Sequence, residues 1–269
     1  MCNYMKTLST ILLLTLFSLY SKGQLSIYRK YSPSIDSSDL VVAKLLKQKL
    51  YDNALNEVNK AIVNNPQDGT NYFNRAVTRY YKFGINDEYG VDTSLYNDCK
   101  RALVKGYDSP ELHYLMFSLL HPNSAFYDQE GNRKDITFED AKEEIDIAIE
   151  TSKERPIKYK FARILLYYHK FLKHIGPEIS TDEIETLKFD CRFVLESTKN
   201  IDRMGVSNYI LSQISYSIEN DTIAAIRFLT DAITPDTTKI SYVQERVRMK
   251  YEIGNYRGAI IDYNKYLAK

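Results

Sequence analysis

Two short stretches far apart in the chain carry one helical pattern. "LYDNALNEVNKAIVNNP", beginning at Leu50, and "YEIGNYRGAIIDYNKYLAK", closing at Lys269, each set an aromatic three residues before an alanine and then continue into apolar residues at helical spacing. This duplication constrains the fold more than any other feature. A short amphipathic helix pair cannot bury its apolar face alone, so a pattern written more than once implies copies that cover one another. Composition agrees with a helical chain: of 269 residues 44% are hydrophobic and 26% charged, with only 10 Gly and 7 Pro. Such a chain is too apolar for disorder and too poor in turn residues for a many-stranded β protein. The expected fold class is all-α.

Charge narrows the class of partner. The 36 basic and 35 acidic residues nearly cancel, whereas a broad nucleic-acid surface needs a concentrated excess of Lys and Arg. No nucleic acid is expected among the partners. The 23 Tyr supply rings that pack while their hydroxyls stay wet, which suits contact surfaces.

The first residues read as an export signal. From Met5, "MKTLSTILLLTLFSLYSKGQ" has a charge at Lys6, an apolar run from about Leu8 to Tyr20, and the small residues Ser21 and Gly23 before Gln24. The apolar run is shorter than the roughly 20 residues needed to span a bilayer, so a retained anchor is the weaker reading. No cysteine follows the run to take a lipid. The expected organisation is a signal peptide over 1–23, a linker over 24–37 and one helical domain over 38–269, in a periplasmic or secreted protein. Contact with the membrane is expected only through the signal segment before its cleavage.

Taking Pro66 as the last position of a 34-residue unit places Tyr51, Ala54, Val58 and Ala61 where tetratricopeptide (TPR) repeats carry an aromatic, a small residue, a large apolar residue and a second small residue. Gly254, Tyr256, Ala259 and Tyr263 fill the same places at the other end, with Tyr266 where the second alanine is expected. The chain resembles that family here. The small residues let the second helix of a pair approach the first closely, and the larger ones fill the space toward neighbouring repeats.

Weaker copies lie between. "LYNDCKRAL" from Leu95 and "LKFDCRFVL" from Leu187 align residue for residue, "FEDAKEEIDIAI" from Phe138 offers Ala141, Ile145 and Ala148, and "AIRFLTDAI" from Ala225 is another copy. The segments "NYFNRAVTRYYKFG", "ELHYLMFSLL", "IKYKFARILLYYHKFL" and "SNYILSQISYSI" precede them as first helices. Longer connections fall at 85–92 and 121–135, and Ser180, Thr181 and Asp182 are suited to cap the helix that follows. The count is six pairs. The resemblance implies a right-handed α-solenoid of about six antiparallel helix pairs, a TPR-like superhelix; a helical bundle without superhelical order is the alternative.

That resemblance also implies a use. Members of the family commonly hold a peptide or a partner's surface in the groove lined by the first helices, acting as scaffold or adaptor without catalysis. Carrying the inward-facing positions onto this chain gives Phe73, Asn74, Val77 and Tyr80 in the second pair, Tyr159 and Arg163 in the fourth, Tyr209, Gln213 and Tyr216 in the fifth, and Gln244, Arg248 and Tyr251 in the last. The expected partner is a protein or peptide ligand, bound in the cell envelope. The family's clamp for a terminal carboxylate is not expected, because only Asn74 matches it while Asp39 and Ala43 stand at its other positions.

Motifs of chemistry are weak. His169 and His174 are five apart, not the four that puts two zinc ligands on one helix face, and His113 and His121 stand alone. "NDEYGVDTSLYND" lacks the alternating ligands and late Glu of a calcium loop. There is no glycine-rich phosphate loop and no nucleophile elbow. Neither a metal, a cofactor nor an enzymatic activity is expected; the alternative is an accessory or sensory subunit of an envelope enzyme or secretion assembly, with a pocket the sequence does not reveal. Cys99 and Cys191 occupy equivalent repeat positions and are read as small buried residues rather than a disulfide. The outer face of the last helix, including Ile260, Tyr263 and Leu267, has no following repeat in the pattern and is expected to be exposed, offering a surface for self-association or docking.

Overall fold

The computed structural model describes residues 39–83, 93–120, 125–127, 133–153, 156–173, 179–234 and 240–267. The signal segment, the linker, His121 and His174 lie outside them. The described residues are almost wholly helical: α1 (Leu40–Lys47), α2 (Tyr51–Asn64), α3 (Gly69–Phe83), α4 (Thr93–Val104), α5 (Pro110–Leu119), α6 (Phe138–Thr151), α7 (Ile157–Lys173), α8 (Thr181–Ser197), α9 (Ile201–Ser217), α10 (Thr222–Ile233), α11 (Ile240–Glu252) and α12 (Tyr256–Leu267). One short antiparallel hairpin, β1 (Ala125–Tyr127) and β2 (Arg133–Asp135), lies within the connection between α5 and α6, with Phe126 opposite Lys134.

Local chemistry sets the helix starts. Asp39 accepts from the backbone N–H of Val41 and Val42, Ser109 stands before Pro110 at the first helical position, and Asn200 and Asp221 cap α9 and α10. Ser180 and Glu183 form a reciprocal capping box on α8, satisfying two N–H groups that the helix itself leaves unpaired. The sequence places three capping residues here, and Ser180 is the one that caps; Thr181 and Asp182 belong to the first turn.

The turns inside the pairs repeat one conformation. Lys49, Asn220 and Gly254 adopt left-handed backbone angles, with φ of 59°, 55° and 77°, and each stands at the same interval before a buried alanine, Ala54, Ala225 or Ala259. The left-handed residue turns the next N–H back onto the helix it ends, Leu50 to the Leu45 carbonyl and Asn255 to the Lys250 carbonyl, each at 2.9 Å.

The chain divides into two compact units, ending and beginning at Thr137 and Phe138. In the first, each helix from α1 to α5 packs on its neighbour in sequence, and α1 also touches α3. In the second, α6 to α12 pack in the same serial way, with α7 also touching α9. The core register follows the repeats. Ala54 and Val58 in α2, Leu95, Cys99 and Ala102 in α4, Ala141, Ile145 and Ala148 in α6, Leu187, Cys191 and Val194 in α8, and Ala225, Leu229 and Ala232 in α10 are all buried. Neither Cys99 nor Cys191 is in a disulfide, and burial pushes the Cys191 thiol well above its ordinary pKa. Helix α9 starts at Ile201, earlier than the pattern beginning at Ser207, with Asn200 accepting from the Arg203 N–H at its start.

Candidate partner-binding surface

The first helices sort the twelve expected groove residues into three groups. Phe73, Asn74, Val77 and Tyr80 are buried in α3: Phe73 stacks on Tyr107 at 4.8 Å, and the Asn74 carbonyl accepts from the Thr78 hydroxyl. Tyr159 in α7 is buried as well. Tyr209 lies inside an aromatic ladder that crosses three first helices, meeting Tyr168 of α7 edge-on at 6.2 Å and stacking on Tyr242 of α11 at 4.4 Å. All six of these residues are buried, the stacked rings among them packed inside the fold.

Arg163 takes part in a polar arrangement that recurs three times. Its Nε and Nη2 donate to Asp190 of α8, and its Nη1 donates to Asp146 of α6 at 2.7 Å. Arg75 of α3 likewise joins Asp98 of α4 and Asn59 of α2, and Arg246 of α11 joins Asp262 of α12 and Thr230 of α10. Each arginine thus ties the second helix of the preceding pair to the second helix of its own pair. Each aspartate receives a further cation, Arg79 for Asp98, Lys160 for Asp190 and Lys250 for Asp262. In α3 and α11 that cation lies one turn beyond the arginine; in α7 the place is held by the buried Tyr167, and Lys160 from the preceding turn serves instead. The aspartate side chains are 1%, 1% and 5% exposed, so a carboxylate at this depth requires such pairing.

Of the clasp residues only Arg163 belongs to the groove set expected from the sequence; its partners and the other two clasps lie outside that set. The signal available was the Asp preceding Cys in "LYNDCKRAL" and "LKFDCRFVL", matched by Asp262 before Tyr263. The arginine partners stand 16 or 17 residues after their first contact in each case.

The remaining groove candidates gather on α9 and α11. Arg248 lies over the Tyr216 ring at 4.6 Å, its Nη1 donates to the Tyr216 hydroxyl at 2.9 Å and to Glu252 at 2.7 Å, and its Nε and Nη2 donate to Glu245. The Tyr216 hydroxyl donates in turn to Glu252 at 2.8 Å. Burial alone would lower the pKa of Arg248, but Glu245, Tyr216 and Glu252 more than offset it and the guanidinium stays charged. Tyr251, 64% exposed, holds its ring edge-on to Tyr256 at 5.1 Å, and Gln244 is exposed beside them on α11. Gln213 is half-buried on α9, and its Nε2 finds no acceptor among the described residues.

Elsewhere, His113 is buried with its Nε2 2.9 Å from Asp108. Among the described residues no three His, Cys, Asp or Glu side chains stand together as metal ligands would, and no helix is long and apolar enough to cross a membrane. On α12, Ile260 and Tyr263 are exposed, as the pattern implied; the Leu267 side chain lies outside the described residues. No family model matches the chain, and comparison with curated proteins finds no match.

Proposed function

We propose that the chain is a non-enzymatic scaffold or adaptor of the cell envelope, built as a right-handed TPR-like α-solenoid of about six helix pairs and holding a protein or peptide ligand on its first helices. The observation that carries this reading is the accessible, hydrogen-bonded surface of Tyr216, Glu245, Arg248, Tyr251 and Glu252 across α9 and α11. Arginine and tyrosine are the side chains that most often carry binding energy at interfaces, and here they are already held in place. The repeated left-handed turns, the buried small residues and the three clasps support the solenoid part of the reading, since each recurs from one helix pair to another, as a repeat architecture requires.

A photo-crosslinking residue placed at Tyr251, with a second at the exposed Arg192 of α8 as control, tests the reading in envelope extracts. Discrete adducts from position 251 and none from 192 are expected; adducts from both or from neither would remove the first-helix surface as the binding site. Export is tested by the mature N-terminus, expected at Gln24.

A further inference from the structure

We propose that the outer face of α12 receives an arginine-bearing helix from another protein, supplied as part of a helix pair built like those of this chain.

Helices α2, α6 and α10 show how such a face is covered. Four residues after its buried alanine, each sets a buried apolar residue and then an acceptor: Val58 and Asn59 in α2, Ile145 and Asp146 in α6, and Leu229 and Thr230 in α10. The helix that follows packs on each and brings an arginine to that acceptor, Arg75 to Asn59 at 3.2 Å, Arg163 to Asp146 at 2.7 Å and Arg246 to Thr230 at 3.1 Å. Helix α12 repeats the series as Ala259, Tyr263 and Asn264. Ala259 is buried like its counterparts, since α11 packs on α12. Tyr263, however, is 50% exposed where Val58, Ile145 and Leu229 are at most 1% exposed, and Asn264 is exposed as well. The open part of α12 is therefore the part that a following helix covers in the other three, and no helix follows it among the described residues.

The same residues define the occupant. Asn264 offers a side-chain carbonyl oxygen, as Asn59 does, and in all three clasps that place is filled by a guanidinium whose other nitrogens are held by the aspartate of its own second helix. A lone amphipathic helix would bring the arginine without that aspartate, so the fitting partner is a pair. A second copy of the chain does not supply one. Its Arg75, Arg163 and Arg246 already hold both of their partners, and α1 has Val41 at the place of Arg246, eight residues before the left-handed turn residue. Pairing two α12 faces would set Arg257 and Lys265 against their like, because the one acidic residue of this helix, Asp262, is buried with Arg246 and Lys250.

A phage library of two-helix hairpins, with the outward positions of one helix randomised and an aspartate kept on the other, is panned on the full chain and counter-screened on Tyr263→Glu, Asn264→Ala and Asn264→Asp proteins. Both positions are exposed, and circular dichroism checks that helix content is kept. Enriched hairpins are expected to carry an arginine among apolar residues. Tyr263→Glu should weaken them at least about tenfold and Asn264→Ala about fivefold, while Asn264→Asp, which copies Asp146, should tighten them. Hairpins without an arginine, hairpins indifferent to Asn264, or no enrichment would overturn the proposal. Sedimentation showing that the full chain self-associates and that Tyr263→Glu returns it to monomer would overturn it too, by making a second copy the occupant.

Discussion

Arg163 sits between two carboxylates, Nη1 on Asp146 at 2.7 Å and Nε on Asp190 at 2.7 Å, and so ties α6 to α8 through α7. Burial alone would lower its pKa, but the hydrogen bonds to Asp190 and Asp146 more than offset this and hold it raised, so the group is charged at any ordinary pH. The balance is conditional on every partner being present. Paired, the buried charges roughly repay their own desolvation; with one removed, the others are left buried and uncompensated.

Asp190→Ala is therefore expected to destabilise the protein by about 3–5 kcal/mol, because it takes the carboxylate from Lys160 and leaves Arg163 with Asp146 alone. A triple variant, Lys160→Met, Arg163→Met, Asp190→Leu, should recover most of that loss. Urea midpoints of the three proteins check it. A single variant within about 1 kcal/mol of the parent would mean that the clasp contributes little.

Close approach of helices gives a second expectation. Ala148→Leu should cost about 1–3 kcal/mol, since Ala148 is fully buried and an added side chain must push neighbours apart. Gly69→Ala should also destabilise: its Cβ would stand 2.6 Å from the Ala102 carbonyl oxygen and 2.7 Å from Tyr107 Cβ. Glu150→Leu, on the exposed side of α6, is the control and should leave the thermal midpoint nearly unchanged.

The equivalent turn residues predict opposite signs for related changes. Lys49→Gly should stabilise by about 1 kcal/mol, because a left-handed backbone at φ 59° strains a residue with a Cβ. Gly254→Ala, at φ 77°, should destabilise by about the same amount, although nothing lies near enough to clash with the new methyl. Chemical denaturation of both variants decides this. Equal signs would break the equivalence of the two turns.

Glu183 links stability to pH. Burial alone would raise its carboxyl pKa, but hydrogen bonds from Lys170 and Ser180 outweigh it and hold the group below its ordinary value of 4.5. A depressed folded-state pKa contributes stability that is present above about 4.5 and is lost as pH falls through the folded value. Glu183→Gln should therefore narrow its stability gap to the parent as pH drops below 4.5, with little change in that gap between pH 6 and 8. Thermal midpoints across this range measure it; a gap that widens in acid would reverse the sign.

The repeat register was legible in sequence because its cause is local. Ala141, Ile145 and Ala148, or Leu187, Cys191 and Val194, lie within two turns of one helix, and the need for small or apolar residues on one stripe is written at a fixed spacing. The clasps were not legible as such. Arg75 and Asp98 stand 23 residues apart, Arg163 and Asp190 27, and Arg246 and Asp262 16, because the helices and the connection between them differ in length from pair to pair. A charge pair with no constant spacing leaves no period to read.

Sequence by itself determined that the chain is helical, which residues recur, and where several caps and turns fall, since each depends on residues a few positions apart. Which tyrosines meet solvent was decided only by tertiary structure. Tyr209 and Tyr216 lie two turns apart on α9 and read alike as amphipathic first-helix residues. Yet Tyr209 closes the buried stack between Tyr168 and Tyr242, while Tyr216 lies beneath the exposed Arg248. The difference comes from the neighbouring helices: α7 and α11 bring rings against the middle of α9, whereas near its end the facing residues of α11 are charged and leave the tyrosine hydroxyl in reach of both a donor and an acceptor.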